Sequence, residues 1–185
     1  TTASDTSNAN FKIQGGLTIT APNGGEKWTV GSVRTITWDR VGSIPFVKLE
    51  FSTNGGGIYA PIVASTSNTG SYAWTIPDNI STNCLVKVSD TNDATVNDVS
   101  NAALKIQAGF TVTAPNGGEV YPAQKGGFIA QWQATDNQAV DLYLLDFSIP
   151  ANVVQVIANG VSGGSYAVQV NQNLLQKDVN RFKLK

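Results

Sequence analysis

The sequence predicts an all-β protein of two tandem β-sandwiches, the second lacking its last strand, with one extra strand ahead of the first. Three observations predict this class. Short runs of alternating or β-branched residues are separated by clusters of Gly, Pro, Asn and Ser, and no stretch shows a helical period. In addition, the segment Thr18–Glu26 recurs as Thr111–Glu119. Because the order and spacing of further matches persist, we expect two copies of one module, at residues 17–108 and 109–185.

The first copy divides into seven short strands joined by turns. The pairs Asn23-Gly24 and Asn54-Gly55 supply the positive φ of tight turns, and no Lys-Ser/Thr follows them as in a phosphate-binding loop. Seven strands in about 90 residues are typical of an immunoglobulin-like sandwich. The predicted strands are Leu17–Thr20, Arg34–Trp38, Phe46–Ser52, Ile58–Ala64, Ser71–Ile76, Leu85–Ser89 and Ala102–Ile106.

The second copy is shorter. Nothing in it corresponds to the last strand of the first copy, Ala102–Ile106. The predicted strands are Phe110–Thr113, Phe128–Gln133, Asp141–Ser148, Val153–Ala158, Ser165–Val170 and Arg181–Leu184. A sandwich without its last strand exposes an apolar groove and an unpaired edge.

The start of the chain resembles the strand that the second copy lacks. Asp5–Gln14 aligns without gaps with Asp98–Gln107, 93 positions later, and the two segments are identical at seven of ten positions. Ala9, Phe11 and Ile13 alternate with polar residues, which is the pattern of a half-buried strand. We therefore expect residues 1–16 to form a donor strand and a linker.

These features predict a structural protein that polymerises. Residues 4–14 of one subunit would complete residues 110–185 of the next, which is donor-strand complementation, and the contact is head-to-tail. The predicted acceptor edge is Arg181, Phe182, Lys183 and Leu184. The partners would be neighbouring copies of the same chain in an extracellular, pilus-like fibre.

Three other interpretations remain open at this point. The chain, which begins with Thr1 rather than Met, is alternatively a fragment of a longer tandem array on the cell surface. The front segment could instead fold back onto the second copy of its own chain, or be a disordered tail. The array interpretation implies a different function, an adhesion module or one that binds cell-wall polysaccharide.

Composition excludes most other classes. Histidine is absent, there is one cysteine, and the net charge is -1. This removes histidine-based nucleophilic catalysis, zinc fingers and internal disulfides, so we expect no enzyme. The low charge predicts no nucleic-acid binding, and the lack of an apolar run of about 18 residues predicts no membrane span. Solubility carried by Thr, Ser and Asn suggests a secreted surface protein. Cys84, in an alternating apolar run, is expected in the core.

The segment Ile19–Ser32 with Ile36–Trp38 resembles the family of immunoglobulin-like modules called Ser-Thr-rich GPI-anchored membrane protein (KNH-like) domains. The resemblance continues through Asn68–Trp74 and Val86–Asp90. It implies repeated modules in secreted surface proteins and carries no catalytic motif. Separately, the strand arrangement is analogous to that of donor-strand-exchange pili and archaeal extracellular threads.

Four groups of residues are candidate sites. Trp38 and Trp132 occupy positions typical of core tryptophans, whereas Trp28 and Tyr59 are expected to be more exposed and available to stack on sugars. No cofactor is expected except a structural calcium ion on a loop rich in oxygen ligands, which is otherwise a capped turn. Asn79 begins an Asn-X-Ser glycosylation sequence. The calcium candidates are Asp90, Asn92, Asp93 and Asp98. The carboxylates considered for glycoside hydrolysis are Glu26, Glu50, Asp39 and Asp141, and the sequence marks no two of them as a catalytic pair.

Overall fold

The computed structural model describes residues 2–121, 127–136, 138–146, 152–169 and 182–184. In these residues every regular element is a β-strand, which confirms the predicted all-β class. They include no helix long and apolar enough to cross a membrane. The chain divides into two compact units, Thr1–Gln107 and Ala108–Lys185, called unit 1 and unit 2 below.

Unit 1 consists of two β-sheets. One has the strand order β1-β3-β6, and the other has the order β2-β9-β7-β4-β5, with β8 paired to β7. All pairs are antiparallel except β2 with β9, which is parallel. The strands are β1 (Gly16–Ala21), β2 (Lys27–Thr29), β3 (Val33–Val41), β4 (Phe46–Ser52), β5 (Ala60–Ser67), β6 (Ser71–Thr75), β7 (Ser81–Asp90), β8 (Asn97–Val99) and β9 (Leu104–Gln107).

The core of unit 1 is built from alternate residues of both sheets. Ile36 and Trp38 of β3 are buried with Val47 and Leu49 of β4, as expected from the period of two in a strand with one buried face. The Trp38 indole N–H donates to Asn68 Oδ1 at 2.7 Å, which satisfies its polar atom inside the core. This confirms the predicted core position of Trp38.

Unit 2 has two smaller sheets in its described residues, with strand orders β10-β11-β14 and β13-β12-β15. Trp132 of β11 packs in its core with Leu142 and Val168, which confirms the second predicted core tryptophan. The strands are β10 (Phe110–Ala114), β11 (Gly127–Ala134), β12 (Val140–Asp146), β13 (Asn152–Val161), β14 (Ser165–Gln169) and β15 (Phe182–Leu184).

Two features differ from the sequence expectations. Residues 2–15 form no strand, and residues 2–14 are exposed, because a strand needs a partner and this segment pairs with none of the described strands. β2 and β8 were not expected, since three residues are too few to show alternation. Predicted strand ends at Ser148, Val170 and Arg181 lie outside the described residues.

Candidate strand-acceptor site

The last strand of unit 1 shows how this fold completes a sandwich. β9 lies between β7, to which it is antiparallel, and β2, to which it is parallel. Its side chains Leu104 and Ile106 are fully buried. The strand therefore supplies part of the core and also joins β2 to the sheet.

The chain at β9 is anchored on the turn Pro22–Glu26, between β1 and β2. The Glu26 carboxylate shapes this turn by accepting hydrogen bonds from the amides of Asn23 (2.7 Å) and Gly24 (2.9 Å). Three further bonds join turn and strand: Asn101 N donates to Asn23 Oδ1 (2.7 Å), Gly25 N to Ala103 O (3.0 Å) and Lys105 N to Glu26 O (2.8 Å). We call Pro22–Glu26 the receiving turn of unit 1.

Gly24 allows the incoming chain to approach the receiving turn closely. Its φ is 129°, which favours glycine. A Cβ added there would lie 2.5 Å from the Cβ of Ala102, a distance that two carbon atoms cannot adopt. The glycine is therefore required by the contact with Ala102 as well as by its backbone angle.

Unit 2 contains the same turn, at Pro115–Glu119. The Glu119 carboxylate accepts from the amides of Asn116 (2.7 Å) and Gly117 (2.7 Å). These backbone donors, Asn116 first, hold the pKa of the Glu119 carboxyl below its ordinary value. The φ angles of Gly117 and Gly118 are 125° and 83°, within a few degrees of their counterparts in unit 1. The receiving turn of unit 2 is thus preformed.

No described residue fills the receiving turn of unit 2. The Asn116 side-chain oxygen, the Gly118 amide and the Glu119 carbonyl correspond to the three groups that hold β9, and none has a hydrogen-bond partner in the part of the chain that the structure describes. A Cβ added at Gly117 would meet no described atom within 4 Å. The turn has the hydrogen bonds and backbone angles of its counterpart in unit 1, but no described strand lies against it.

Among the described residues of unit 2, no strand lies beside β15 where β9 lies beside β7 in unit 1. β7 pairs with β4 on one side and with β8 and β9 on the other, and β15 pairs with β12 as β7 pairs with β4. Within the described ranges, β12 is the only partner of β15. Of the predicted acceptor edge, Phe182, Lys183 and Leu184 form β15, and Arg181 lies outside the described residues.

Apolar side chains that unit 1 buries are half exposed at the equivalent positions of unit 2. Leu17 of β1 is 7% exposed, whereas its counterpart Phe110 is 45% exposed. Trp28 of β2 is 7% exposed, whereas Tyr121 is 41% exposed and belongs to no strand. Tyr121 stands at the position that β9 covers in unit 1, so its exposure agrees with a missing strand.

The segment that repeats β9 lies free of strands at the start of unit 1. Phe11 is 79% exposed and Ile13 is 89% exposed, and Ala9 is exposed as well. By the repeat, Phe11 and Ile13 correspond to Leu104 and Ile106, both fully buried. The segment thus presents to solvent the apolar side chains that its copy places in a core.

Polar contacts hold the same segment against unit 1. Lys12 Nζ lies 2.6 Å from Asp93 Oδ2, and Gln14 Nε2 donates to Thr95 Oγ1 at 2.9 Å. The hydrogen bond from Lys12, followed by those from Thr95, lowers the pKa of Asp93 from 3.8 to about 2. The Lys12 side chain is 64% exposed and that of Asp93 is 31% exposed, so solvent screens the ion pair and the attachment is weak.

The three carboxylates of the predicted calcium site use their oxygens elsewhere, and Asn92, the fourth residue, donates its backbone amide to Asp90. Asp93 bonds to Lys12, Asp98 accepts from the Ile19 amide at 2.7 Å, and Asp90 accepts from the Asn92 amide at 2.9 Å. In the described part of the chain, no three acidic or cysteine side chains form a group that could hold a metal ion. The loop has the geometry of the capped turn, and calcium binding stays a prediction without support from this geometry.

The tryptophans do not form a sugar platform. Trp28 was expected to be exposed, which is wrong: it is buried because β2 pairs with β9, and its ring packs edge-on against Trp74 at 6.0 Å. Tyr59 is half-buried beside Lys87, and burial raises the pKa of its hydroxyl. The four tryptophans, Trp28, Trp38, Trp74 and Trp132, are all core residues.

The remaining candidates have ordinary surroundings. Cys84 is buried, as expected, and burial raises the pKa of its thiol. Asn79 is exposed between β6 and β7, so a glycan there stays a prediction. Of the carboxylates weighed for hydrolysis, Glu26 holds the receiving turn and Glu50 lies 2.9 Å from Lys48, while Asp39 and Asp141 are exposed.

Comparisons with known proteins add little. No family model matches the chain and no curated protein is similar to it, so the resemblance to the Ser-Thr-rich GPI-anchored membrane protein family stays a prediction. A solved structure of the fibronectin(III)-like modules of Clostridium thermocellum CbhA is 15% identical over 84% of this chain and 79% of that chain, with a TM-score of 0.30. A likeness at this level says nothing about function.

Sequence reasoning missed the receiving turn. It assigned Asn116, Gly117, Gly118 and Glu119 to turn chemistry alone. A usable signal was present, because these residues repeat Asn23–Glu26 without change. An unchanged turn is expected where two copies of a module each hold a similar strand.

Proposed function

We propose that this protein is a structural subunit of an extracellular filament, in which residues 4–14 of one subunit complete unit 2 of the next. One observation carries the proposal: unit 2 has a preformed receiving turn that no described residue fills, while the chain begins with a copy of the strand that fills the same turn in unit 1.

The repeat assigns each apolar donor residue to a position in unit 2, given by its counterpart in unit 1. Ala9 corresponds to Ala102, which packs on Gly24, so it would lie on Gly117, where space is open. Phe11 would enter the core of unit 2 as Leu104 enters that of unit 1, and Ile13 would lie beside Tyr121 as Ile106 pairs with Trp28.

The junction has enough interactions to persist. Burying Phe11 and Ile13 contributes about 1.5–3 kcal/mol each. Each backbone hydrogen bond to the receiving turn and to β15 contributes about 0.5–1.5 kcal/mol. Because each subunit has one donor and one acceptor, the contact is heterologous and propagates into an open fibre.

A register-specific crosslink tests the proposal. In unit 1, Lys27 pairs with Lys105, and the equivalent pair across the junction is Val120 with Lys12. Adjacent strands lie about 4.8 Å apart, a spacing that a disulfide spans. We expect the variant Lys12→Cys/Val120→Cys to form a ladder of disulfide-linked multimers on non-reducing gels.

The matched control is Gln14→Cys/Val120→Cys, which places the donor thiol out of register and should crosslink far less. Val120→Cys alone controls for the native Cys84. A band of monomer mass that carries the disulfide at every dilution would mean closure within one chain. No crosslink in any variant, with monomers in electron micrographs, would overturn the proposal and favour a module of a longer surface protein.

The polysaccharide-binding function lost its main support when the tryptophans proved to be buried. No described feature favours it over the filament. The crosslinking experiment does not measure retention on glycan, which needs a separate binding assay.

A further inference from the structure

Asp98 ties together the two sheets of unit 1. It lies on β8, which pairs with β7 in the larger sheet, and its Oδ2 accepts a hydrogen bond from the amide of Ile19 on β1, in the other sheet, at 2.7 Å. A carboxylate that accepts from a backbone amide makes one of the stronger hydrogen bonds in proteins. The bond therefore fixes the chain leading into β9 relative to β1.

The Ile19 amide needs this acceptor because it points away from the sheet. Ile19 is opposite Trp38, and the Trp38 amide donates to Gly70 O on the far side of β3. The pair Ile19–Trp38 is therefore a non-hydrogen-bonded pair, whose amides point outward. β1 is an edge strand, so the outward amide of Ile19 has no strand partner.

Unit 2 repeats this arrangement without the carboxylate. Val112 of β10 is opposite Trp132, and the Trp132 amide donates to Gly164 O at 2.9 Å. The register of β10 shifts after Val112 just as that of β1 shifts after Ile19. The Val112 amide thus points outward from an edge strand, and within the described ranges nothing accepts its hydrogen bond.

We propose that Asp5 of the donor segment accepts the hydrogen bond of the Val112 amide in the next subunit and so fixes the register of the junction. Asp5 stands where Asp98 stands in the repeat, six residues before Phe11 as Asp98 stands six residues before Leu104. In the single chain Asp5 is exposed, and among the described residues its carboxylate accepts only from the neighbouring Thr6 amide, at 2.9 Å. This inference rests on the proposed function.

The apolar residues of the donor do not define its register by themselves. Ala9, Phe11 and Ile13 recur every second residue, so a slip by two residues keeps the same face of the strand inward. A single carboxylate that accepts from a single outward-pointing amide can do so in only one of these alignments. Asp5 is thus a positioning residue: it selects one alignment among several that bury apolar side chains.

A peptide-binding experiment tests this role with the whole chain as acceptor. The acceptor is the full-length variant Phe11→Asp, which keeps unit 2 unchanged and cannot donate its own strand. A fluorescent peptide of residues 2–15 is titrated against it, and its anisotropy is measured. The wild-type peptide should bind. The Asp5→Ala peptide should bind about tenfold to a hundredfold more weakly, as expected for loss of a hydrogen bond to a charged group.

Two further peptides separate positioning from a general loss of polarity. Asp5→Asn keeps a side-chain oxygen that can accept the same bond, so it should restore binding to within a few-fold of wild type. Asn10→Ala gives the donor the residue found at the equivalent position of unit 1, Ala103 just before β9, and should leave affinity unchanged.

Crosslinking reports the register directly. Peptides carrying Cys at position 10, 12 or 14 are tested against an acceptor with Phe11→Asp/Val120→Cys. With Asp5 present we expect crosslinks at position 12 alone, and with Asp5→Ala we expect them to spread to positions 10 and 14. Equal affinity and an unchanged crosslinking pattern for Asp5→Ala would overturn the inference while leaving the filament in place. Failure of the wild-type peptide to bind would instead count against the proposed function.

Discussion

Unit 1 and unit 2 share a receiving turn and a core tryptophan on the central strand of a three-stranded sheet, yet their edges differ. They also share the four residues Gly70–Ala73, repeated as Gly164–Ala167, where β6 and β14 begin. In unit 1 the turn holds β9 and the neighbouring apolar side chains are buried. In unit 2 the turn is preformed and its neighbours Phe110 and Tyr121 are half exposed. Glu119 therefore forms its turn with no described strand beside it, and a donated strand, as proposed, would meet a turn that is already formed.

The largest effect is expected at Phe11. If residues 4–14 complete unit 2, a charge at Phe11 cannot enter an apolar core, and Phe11→Asp should abolish filaments in negative-stain electron microscopy. Because Phe11 is 79% exposed in the single chain, the variant should still fold. The control is Ile58→Asp, since Ile58 is exposed to a similar degree, at 75%, but lies outside the repeat of β9. Filaments of normal length from Phe11→Asp would show that Phe11 does not enter the core of unit 2 as Leu104 enters that of unit 1.

A second effect separates the two copies of the strand. Leu104→Ala removes a fully buried side chain from β9 and should lower the free energy of unfolding of unit 1 by about 2–5 kcal/mol. The equivalent change Phe11→Ala should alter the stability of the dilute monomer by less than about 0.5 kcal/mol, because that side chain is exposed. Urea unfolding below the assembly concentration measures both. Equal losses would mean that the front segment is already part of a core.

The two receiving turns can be compared through their glycines. Gly24→Ala should destabilise the dilute monomer by about 1–3 kcal/mol more than Gly117→Ala. Both glycines have φ above 120°, so the backbone strain is shared, but the added Cβ meets Ala102 in unit 1 and open space in unit 2. Gly117→Ala should instead weaken assembly, because Ala9 would meet the new methyl group. Thermal unfolding and sedimentation measure the two effects, and unchanged assembly of Gly117→Ala would show that Ala9 does not lie there.

The smallest expected effect concerns where the donor segment lies before assembly. The pKa of Asp93 is lowered to about 2, mainly by Lys12, so the contact is fully formed above the ordinary value of 3.8 and is lost as pH falls through about 2. Lys12→Ala should raise the titration midpoint of Asp93 towards 3.8, measured by NMR of the carboxyl carbons. Lys27→Ala, with no contact to Asp93, is the control. A midpoint that stays near 2 would show that Lys12 does not hold the segment on unit 1.

Much of the fold follows from local patterns. Alternation in Phe46–Ser52 and β-branched residues in Arg34–Trp38 place β4 and β3 to within a few residues. The predicted start at Ile58 was early because Asn54 Oδ1 accepts from the Ile58 amide and holds that residue in the turn. Local propensity identifies strands where a run of residues alternates, and fails where side-chain hydrogen bonds extend a turn.

The errors concern residues whose environment depends on distant parts of the chain. Trp28 is buried because β2 pairs with β9, about 80 positions away, and three residues of β2 carry no pattern that reveals this. The predicted calcium ligands lack support for a similar reason, since Asp98 and Asp93 are bonded to Ile19 and Lys12, far away in the sequence. Conversely, the repeat itself predicted the donor segment, because a strand and its copy can be compared without knowing the fold.

The spacing around the donor segment has a mechanical consequence. Within one chain, β9 ends at Gln107 and β10 begins at Phe110, so two residues, Ala108 and Gly109, connect a strand to the following module. Between subunits, the donated strand would end at Gln14 and β1 begins at Gly16, so Gly15 alone makes the connection. Non-covalent junctions would then be as short as the covalent ones. A fibre built in this way has no flexible linker that extends under tension, so a pulling force acts on every sandwich in series. No covalent bond holds the donated strand in unit 2, so the fibre would break at this strand.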